Sequence, residues 1–158
     1  MPPKPKLNVQ NFPRPPLLER TNRHLQVKYQ GHTIADTKEA YWVLETYHPP
    51  TYYLPLSSLS LPLTKTTKQT YCEYKGWATY HSLTLPSSSE VIKDRIWSYE
   101  NPNKEYEAIK GYVSFYVGPW SCFVDGEEVK PQPGDFYGGW TTEELVGTIK
   151  GEGATRWL

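Results

Sequence analysis

Short runs in which apolar and polar residues alternate, separated by turn-forming dipeptides, pattern this chain from about residue 24 onward. Leu25, Val27 and Tyr29 alternate with polar neighbours, a period of two that predicts a strand with one buried face. Gln30-Gly31 supplies a turn, and residues 32–36 continue as the second strand of a hairpin. Residues 40–46 predict a third strand. His48-Pro49-Pro50 ends it, because the residue before a proline avoids helix and proline donates nothing to a ladder. Residues 51–55 read as short and extended. From 55 to 68 Ser, Leu and Pro mix without a period, predicting at most one helical turn near 57–59. Residues 76–83 predict a strand with Ala78, Tyr80 and Ser82 on one face and Trp77, Thr79 and His81 on the other.

Residues 91–99 and 111–116 predict two further strands, with a short helix or 3₁₀ turn over 104–109 between them. Asp125-Gly126 between apolar residues predicts a tight hairpin over 122–129, since both turn positions favour positive φ. Beyond residue 131 no period is visible, and the chain shows neither an internal repeat nor a long helical pattern. The expectation is a mainly β chain of short antiparallel strands with at most one or two short helices. The proline-rich residues 1–22 predict an extended arm, docked or free, ahead of a single β domain over 23–158.

Composition narrows the function classes. Thirteen tyrosines and six tryptophans against one methionine fit half-buried pleated surfaces and wet pockets alike. Seventeen basic and seventeen acidic residues balance to zero, so there is no cationic excess to neutralise phosphates, and nucleic acid is not an expected partner. No apolar run approaches the ~18 residues of a membrane helix. The segment 1–6 lacks the apolar core of a signal peptide, which points to the cytoplasm. There Cys72 and Cys122 are expected as free thiols. His24, His32, His48 and His81 have no metal-ligand spacing and no Cys-x-x-Cys pair occurs, so neither a metal nor a cofactor is expected.

Candidate chemistry concentrates around Cys72-Glu73-Tyr74-Lys75-Gly76-Trp77-Ala78-Thr79-Tyr80, which sets a thiol, a lysine and several rings on one strand and its entry turn. Glu45 and Lys75 are costly to bury among aromatic strands unless paired or hydrogen-bonded. Either they form an ion pair pinning two strands, or Lys75 holds an anionic ligand group while Glu45 accepts from hydroxyls or amines. Cys72 is the one plausible nucleophile, since Lys75 would favour its thiolate. The plainer alternative is an inert, buried thiol. His48, close to Glu45 in sequence, would complete an acid–base pair. Trp97 and Phe115, mid-strand among apolar neighbours, are expected in the core.

Several of these stretches follow one another in a recognisable order. Val43-Leu44-Glu45-Thr46 is followed by His48-Pro49-Pro50-Thr51-Tyr52-Tyr53-Leu54-Pro55 and then by Cys72-Glu73-Tyr74-Lys75-Gly76 with Ala78 and Tyr80. Trp97-Ser98-Tyr99 with Pro102 comes next, then Ile109-Lys110-Gly111-Tyr112-Val113 with Phe115 and Tyr116. Together these resemble the domain of unknown function 427 family, also filed under a nucleotidyltransferase-like name. Phe136-Tyr137-Gly138-Gly139-Trp140 resembles its longer subgroup, and the likeness covers about residues 20–157.

The resemblance implies a β-tent, two antiparallel sheets pinned at one edge and splayed at the other. Methionine sulfoxide reductase B and the thalidomide-binding domain of cereblon share that fold. Those proteins carry zinc on two Cys-x-x-Cys pairs that this chain lacks, so their zinc is not implied. Neither paired aspartates nor a phosphate-cradling glycine loop supports nucleotidyl transfer. The open mouth of splayed sheets is a natural concavity. The polar and aromatic residues matched to the family are Glu45, Tyr53, Cys72, Tyr74, Lys75, Tyr80, Trp97, Tyr99 and Tyr116.

Three readings follow, in this order. The first is a small-molecule binding module whose ligand meets Glu45, Tyr53, Tyr74, Lys75, Tyr80, Tyr99 and Tyr116. The second is a hydrolase, isomerase or transferase that uses Cys72 with Lys75, or Glu45 with His48. The third is a structural homodimer that covers exposed sheet edges.

Overall fold

The computed structural model describes residues 5–134, 137–151 and 153–158. Phe136 of the C-terminal motif lies outside them. The strands run in chain order as β1 (Leu7–Asn8), β2 (Leu17–Thr21), β3 (Leu25–Tyr29), β4 (His32–Thr37) and β5 (Ala40–Leu44). They continue as β6 (Thr51–Tyr53), β7 (Leu63–Cys72), β8 (Gly76–Thr84), β9 (Val91–Ser98) and β10 (Val113–Phe115). Five short ones close the chain: β11 (Ser121–Val124), β12 (Glu127–Glu128), β13 (Lys130–Pro131), β14 (Trp140–Thr141) and β15 (Leu145–Val146). Helix among the described residues is confined to short 3₁₀ segments, one of them Lys104–Ile109. None is long and apolar enough to cross a membrane.

Two four-stranded antiparallel sheets carry the architecture, ordered β10-β9-β8-β7 and β12-β11-β3-β4. A three-stranded sheet, β2-β5-β6, joins the first through the bridge Leu54–Val113, where each residue donates its N–H to the other's carbonyl. The result is mainly β, antiparallel and without a closed barrel, as the alternation predicts. Both predicted hairpin turns form. Gln30-Gly31 and Asp125-Gly126 all sit at positive φ, the pairing of central residues that matches strand twist.

Strand β7 is the longest of the elements that the hydrophobic pattern does not reveal. Residues 63–72 are the outer edge of their sheet and are mostly exposed, so no apolar alternation is required of them. Their β-branched threonines, Thr64, Thr66, Thr67 and Thr70, suit a pleated surface without a core to face. Lys65 and Lys68 blunt the edge against pairing with another chain. In β8, Trp77 is exposed while Ala78 and Tyr80 are buried, following the predicted faces, but Thr79 on the Trp77 face is buried as well. A register shift between His81 and Leu83 then breaks the period, so that Ser82 and Leu83 are both buried.

The core divides into two clusters. One joins Leu25, Ile34, Ile96, Phe115, Trp120 and Trp140 between the two large sheets. The other gathers Val43, Tyr53, Tyr80, Trp97, Tyr99 and Tyr106, and it forms the floor of the site described next.

Segments toward both ends of the described chain are docked. β2 pairs along its whole length with β5, so the expected boundary at residue 22 falls after a strand of the three-stranded sheet. Val9 is fully buried, and Tyr106 Oη donates to the Pro16 carbonyl at 2.7 Å. In the tail, fully buried Trp140 donates its indole N–H to the Phe115 carbonyl at 2.9 Å and its backbone N–H to Pro50 at 2.9 Å.

Candidate functional site

The turn after β5 brings the first two side chains into place. His48 N–H donates to the Glu45 carbonyl at 2.9 Å, with Tyr47 between them at φ 69°. The arm and the tail clamp that turn from either side. Tyr47 N–H donates to Val9 O at 3.0 Å, and Lys150 N–H donates to Tyr47 O at 2.7 Å. The β7–β8 turn supplies Tyr74 and Lys75. Gly76 permits this tight reversal with φ at 106°, a conformation that side chains disfavour. Asn103 holds the turn from outside, donating from Nδ2 to Tyr74 O at 2.7 Å and from its backbone to Lys75 O at 2.9 Å.

These turns and the strands between them enclose one cavity of about 270 Å³. Glu45, His48, Tyr53, Cys72, Tyr74, Lys75, Tyr80, Tyr99 and Tyr116 all line it, so the residues nominated from the sequence are brought together. Trp97 belongs to the core, as expected, and also forms cavity wall. Its ring lies 4.6 Å from that of Tyr116 and meets Tyr53 edge-on at 6.5 Å. Tyr80 Oη shares hydrogen bonds with Thr70 Oγ1 at 3.0 Å and Tyr116 Oη at 3.4 Å. Burial pushes the Tyr53 and Tyr99 phenols above the ordinary tyrosine range, so both are neutral O–H groups at pH 7.

Lys75 is the outstanding charge in this neutral setting. Only 9% of its surface remains exposed. Its ammonium makes no hydrogen bond or ion pair among the described residues and lies 5.8 Å from the centroid of the Tyr99 ring. Burial opposes its charge, but coupling to the acidic groups around it, Tyr53, Cys72 and Glu45, outweighs that and raises its pKa above the usual lysine value, so it is an ammonium at pH 7. The Lys75–Glu45 ion pair, one of the two alternatives for these residues, does not form within 4 Å. Glu45 Oε2 is instead held by Arg14 Nε at 3.2 Å and lies 3.6 Å from His48 Nε2.

Glu45 and His48 therefore do meet, with a third partner that the sequence does not announce. Gln132, 1% exposed, donates from Nε2 to Lys150 O at 2.8 Å and to His48 Nδ1 at 3.0 Å. Burial lowers the His48 pKa, against the opposing pull of Glu45 and the Gln132 hydrogen bond. His81 is lowered by burial as well, and its Nε2 pairs with Ser98 Oγ at 2.8 Å.

A pH dependence follows from these two imidazoles. In the unfolded chain both take up a proton near pH 6.5. In the fold they resist it, so stability is full above that pH and falls as pH drops below it. The limiting slope from His48 is about 1.4 kcal/mol per pH unit. Urea midpoints measured from pH 7.5 to 5 should fall on acidification, and His48→Gln should flatten the slope. Equal slopes in the two proteins would show that His48 is not buried in its neutral form.

Cys72 is a half-buried free thiol on the cavity wall near Lys75, and no hydrogen bond from the described residues reaches it. Cys122 lies in the other core cluster, where burial pushes its thiol up. Arg14, Gln132 and Lys150 are among the site residues that sequence reasoning missed, as are Thr51, Thr70 and Tyr137. The first three come from the aperiodic ends of the chain, where only the Gly138-Gly139 pair, which also lines the cavity through Gly138, carries a local signal.

Fold and site together define a mainly antiparallel β domain whose aromatic cavity is flanked by a lysine-bearing hairpin turn and a Glu–x–x–His turn. The chain belongs to the family described as Domain of unknown function (DUF427), whose family model matches residues 17–130. Comparison with curated proteins gives no match. The matched stretch runs from the first residue of β2 to the first of β13, so Arg14, Gln132, Gly138 and Lys150 lie beyond it.

Proposed function

We propose that this protein binds a small molecule in its aromatic cavity, through an anionic group that meets Lys75. The observation that carries this is Lys75, a side chain left only 9% exposed whose ammonium has no hydrogen-bond acceptor among the described residues. A charge in such a place is stable when an opposite charge and acceptor atoms complete it. Glu45 does not serve, since Arg14 and His48 occupy its Oε2. An incoming carboxylate or phosphate does. The surrounding rings supply apolar faces, and a volume of about 270 Å³ lies just below the usual ~300–1,000 Å³ for ligand sites, which suits a small ligand.

The test uses Trp97 as a reporter. Fluorescence titrations with benzoate and phenyl phosphate should saturate, whereas methyl benzoate, which has the same ring without the charge, should bind at least tenfold more weakly. Equal binding of acid and ester, or no saturable binding by any of them, would defeat the proposal.

The Glu45–His48 contact favours a second reading, proton transfer. His48 Nδ1 is taken by Gln132 and its Nε2 lies 3.6 Å from Glu45 Oε2, so the group that would act is Glu45, whose Oε1 is open among the described residues, with His48 beside it. For any compound that binds in the first test, retained binding with lost turnover in Glu45→Gln would mark an enzyme.

A further inference from the structure

We propose that Cys72 is a covalent capture site for small α,β-unsaturated acids: Lys75 holds the carboxylate while the thiol adds to the conjugated double bond. The proposal rests on the reading of the cavity as an anion site, and it names the reactive class of acid that such a site takes.

Strand β7 turns the thiol inward. Its residues alternate between two faces, so Thr70 and Cys72 share one and Tyr71 takes the other. Thr70 Oγ1 meets the cavity phenol Tyr80 Oη at 3.0 Å, whereas Tyr71 is largely exposed and its ring meets that of exposed Trp77 at 5.2 Å. Cys72 accordingly packs against the aromatic cluster that floors the cavity, yet it is only half-buried and lines the cavity wall. Cys122 differs on each count, being fully buried in the other cluster and no part of the cavity lining. One of the two thiols is therefore open to a molecule in the cavity.

Lys75 supplies the independent second feature. Cys72 pairs with Gly76 across the end of the β7–β8 hairpin, so the intervening turn returns Lys75 to the side of Cys72. The Lys75 side chain is nine-tenths buried, and its ammonium has no acceptor among the described residues. The groups to which it is most strongly coupled, Tyr53, Cys72 and Glu45, all line the cavity, which places the charge on the cavity side of the turn. An acid seated on that ammonium has its carbon atoms against the wall that carries the thiol.

The pairing of these two groups fits one reaction. A free carboxylate activates a neighbouring double bond poorly, because its negative charge resists the electron density that a nucleophile delivers. A buried ammonium offsets that charge, and does so strongly where water is excluded. In the addition, sulfur forms a bond to the β-carbon and the C=C π bond breaks. Its electron pair moves toward the α-carbon and carboxylate, beside Lys75. The thiol proton leaves to water and a proton returns to the α-carbon, so thiol and enoic acid give a thioether without net oxidation or a leaving group. Competing nucleophiles are silent. Lys75 is held as an ammonium without a lone pair, and burial keeps the Tyr53 and Tyr99 phenols protonated.

Acrylate and acrylamide test this, since they share size and double bond and differ by one charge. The freshly reduced full chain is treated with each, and the adduct is followed by intact mass and located by peptide mapping. N-acetylcysteinamide serves as the thiol without a site. We expect the adduct on Cys72, with Cys122 unmodified. The ratio of acrylate to acrylamide rates should be at least tenfold higher for Cys72 than for the free thiol, and benzoate should slow the acrylate reaction in proportion to its occupancy. Lys75→Met should return the ratio to within twofold of the free thiol, with the acrylamide rate changed less than threefold. If that variant does not fold, benzoate protection of the wild-type protein decides. Where benzoate binds, a wild-type ratio within twofold of the free thiol, an adduct on Cys122 instead of Cys72, or a Cys72 rate indifferent to saturating benzoate would overturn this inference alone. No benzoate binding together with no preference for acrylate would remove the anion-site reading beneath it as well.

Discussion

Lys75→Met is expected to weaken the binding of a bound aromatic acid about a hundredfold, while the affinity of the matching neutral ester stays within twofold. The side chain has nearly the same length, so the aliphatic stem keeps its packing between the β7–β8 turn and the Tyr99 ring. What disappears is a buried charged donor. Truncating one partner of a buried, hydrogen-bonded charge pair typically costs about 2–5 kcal/mol, and a hundredfold loss corresponds to about 2.7 kcal/mol. Because the contact is enclosed, added salt should screen it far less than a surface pair. Lys150 is the natural control. It also lines the cavity, but its ammonium is partly exposed and lies over the Tyr137 ring at 5.5 Å. Lys150→Met should change acid affinity less than threefold. The reverse ranking, a large loss for Lys150 and a small one for Lys75, would move the anion contact to the cavity rim.

How far this site could be read from the sequence depended on where its residues sit relative to regular structure. Tyr53, Tyr80 and Trp97 belong to strands whose alternation shows in the sequence, and burial fixes which face each ring occupies. Lys75 stood out because a lysine between a tyrosine and a turn glycine has no reason to be buried unless something meets it. Strand β7 was not visible, since an edge strand of threonines and lysines obeys no apolar period. Arg14 and Gln132 were invisible for a different reason. Each reaches the Glu45–His48 turn from far along the chain, 31 residues away for Arg14–Glu45 and 84 for Gln132–His48, and no local pattern encodes such a meeting. The same holds for the clamp on Tyr47, where β1-side and tail backbones converge from opposite ends of the chain. The aperiodic ends thus hold the Glu45–His48 turn in a cavity whose walls are strand-built. Proline and glycine content marks those ends as irregular, but it does not say that they dock.

Gly138→Ala should cost about 3 kcal/mol of stability, at the upper end of the range for overpacking, and should also abolish acid binding. The backbone at Gly138 does not require a positive φ, so alanine brings no conformational strain there and the effect isolates packing. A Cβ added at this position would lie 2.0 Å from Trp97 Cη2 and 2.7 Å from Cζ2, well inside van der Waals contact. The ring cannot yield cheaply, for it is 6% exposed and stacked at 4.6 Å on Tyr116. Either the tail segment lifts off the cavity, releasing Gln132 and Lys150 from the His48 turn, or the indole is driven into the ligand space. Both routes lose binding. Chemical denaturation of Gly138→Ala, Trp97→Phe and the double variant distinguishes this from a generic defect. Removing the indole's outer ring edge relieves the clash, so the double variant should be more stable than the two separate losses sum to, by 1 kcal/mol or more on the scale of about 0.5–3 kcal/mol for residues in contact. Additive losses would mean that Gly138 and Trp97 do not press on one another, and that the tail closes the cavity by some other contact.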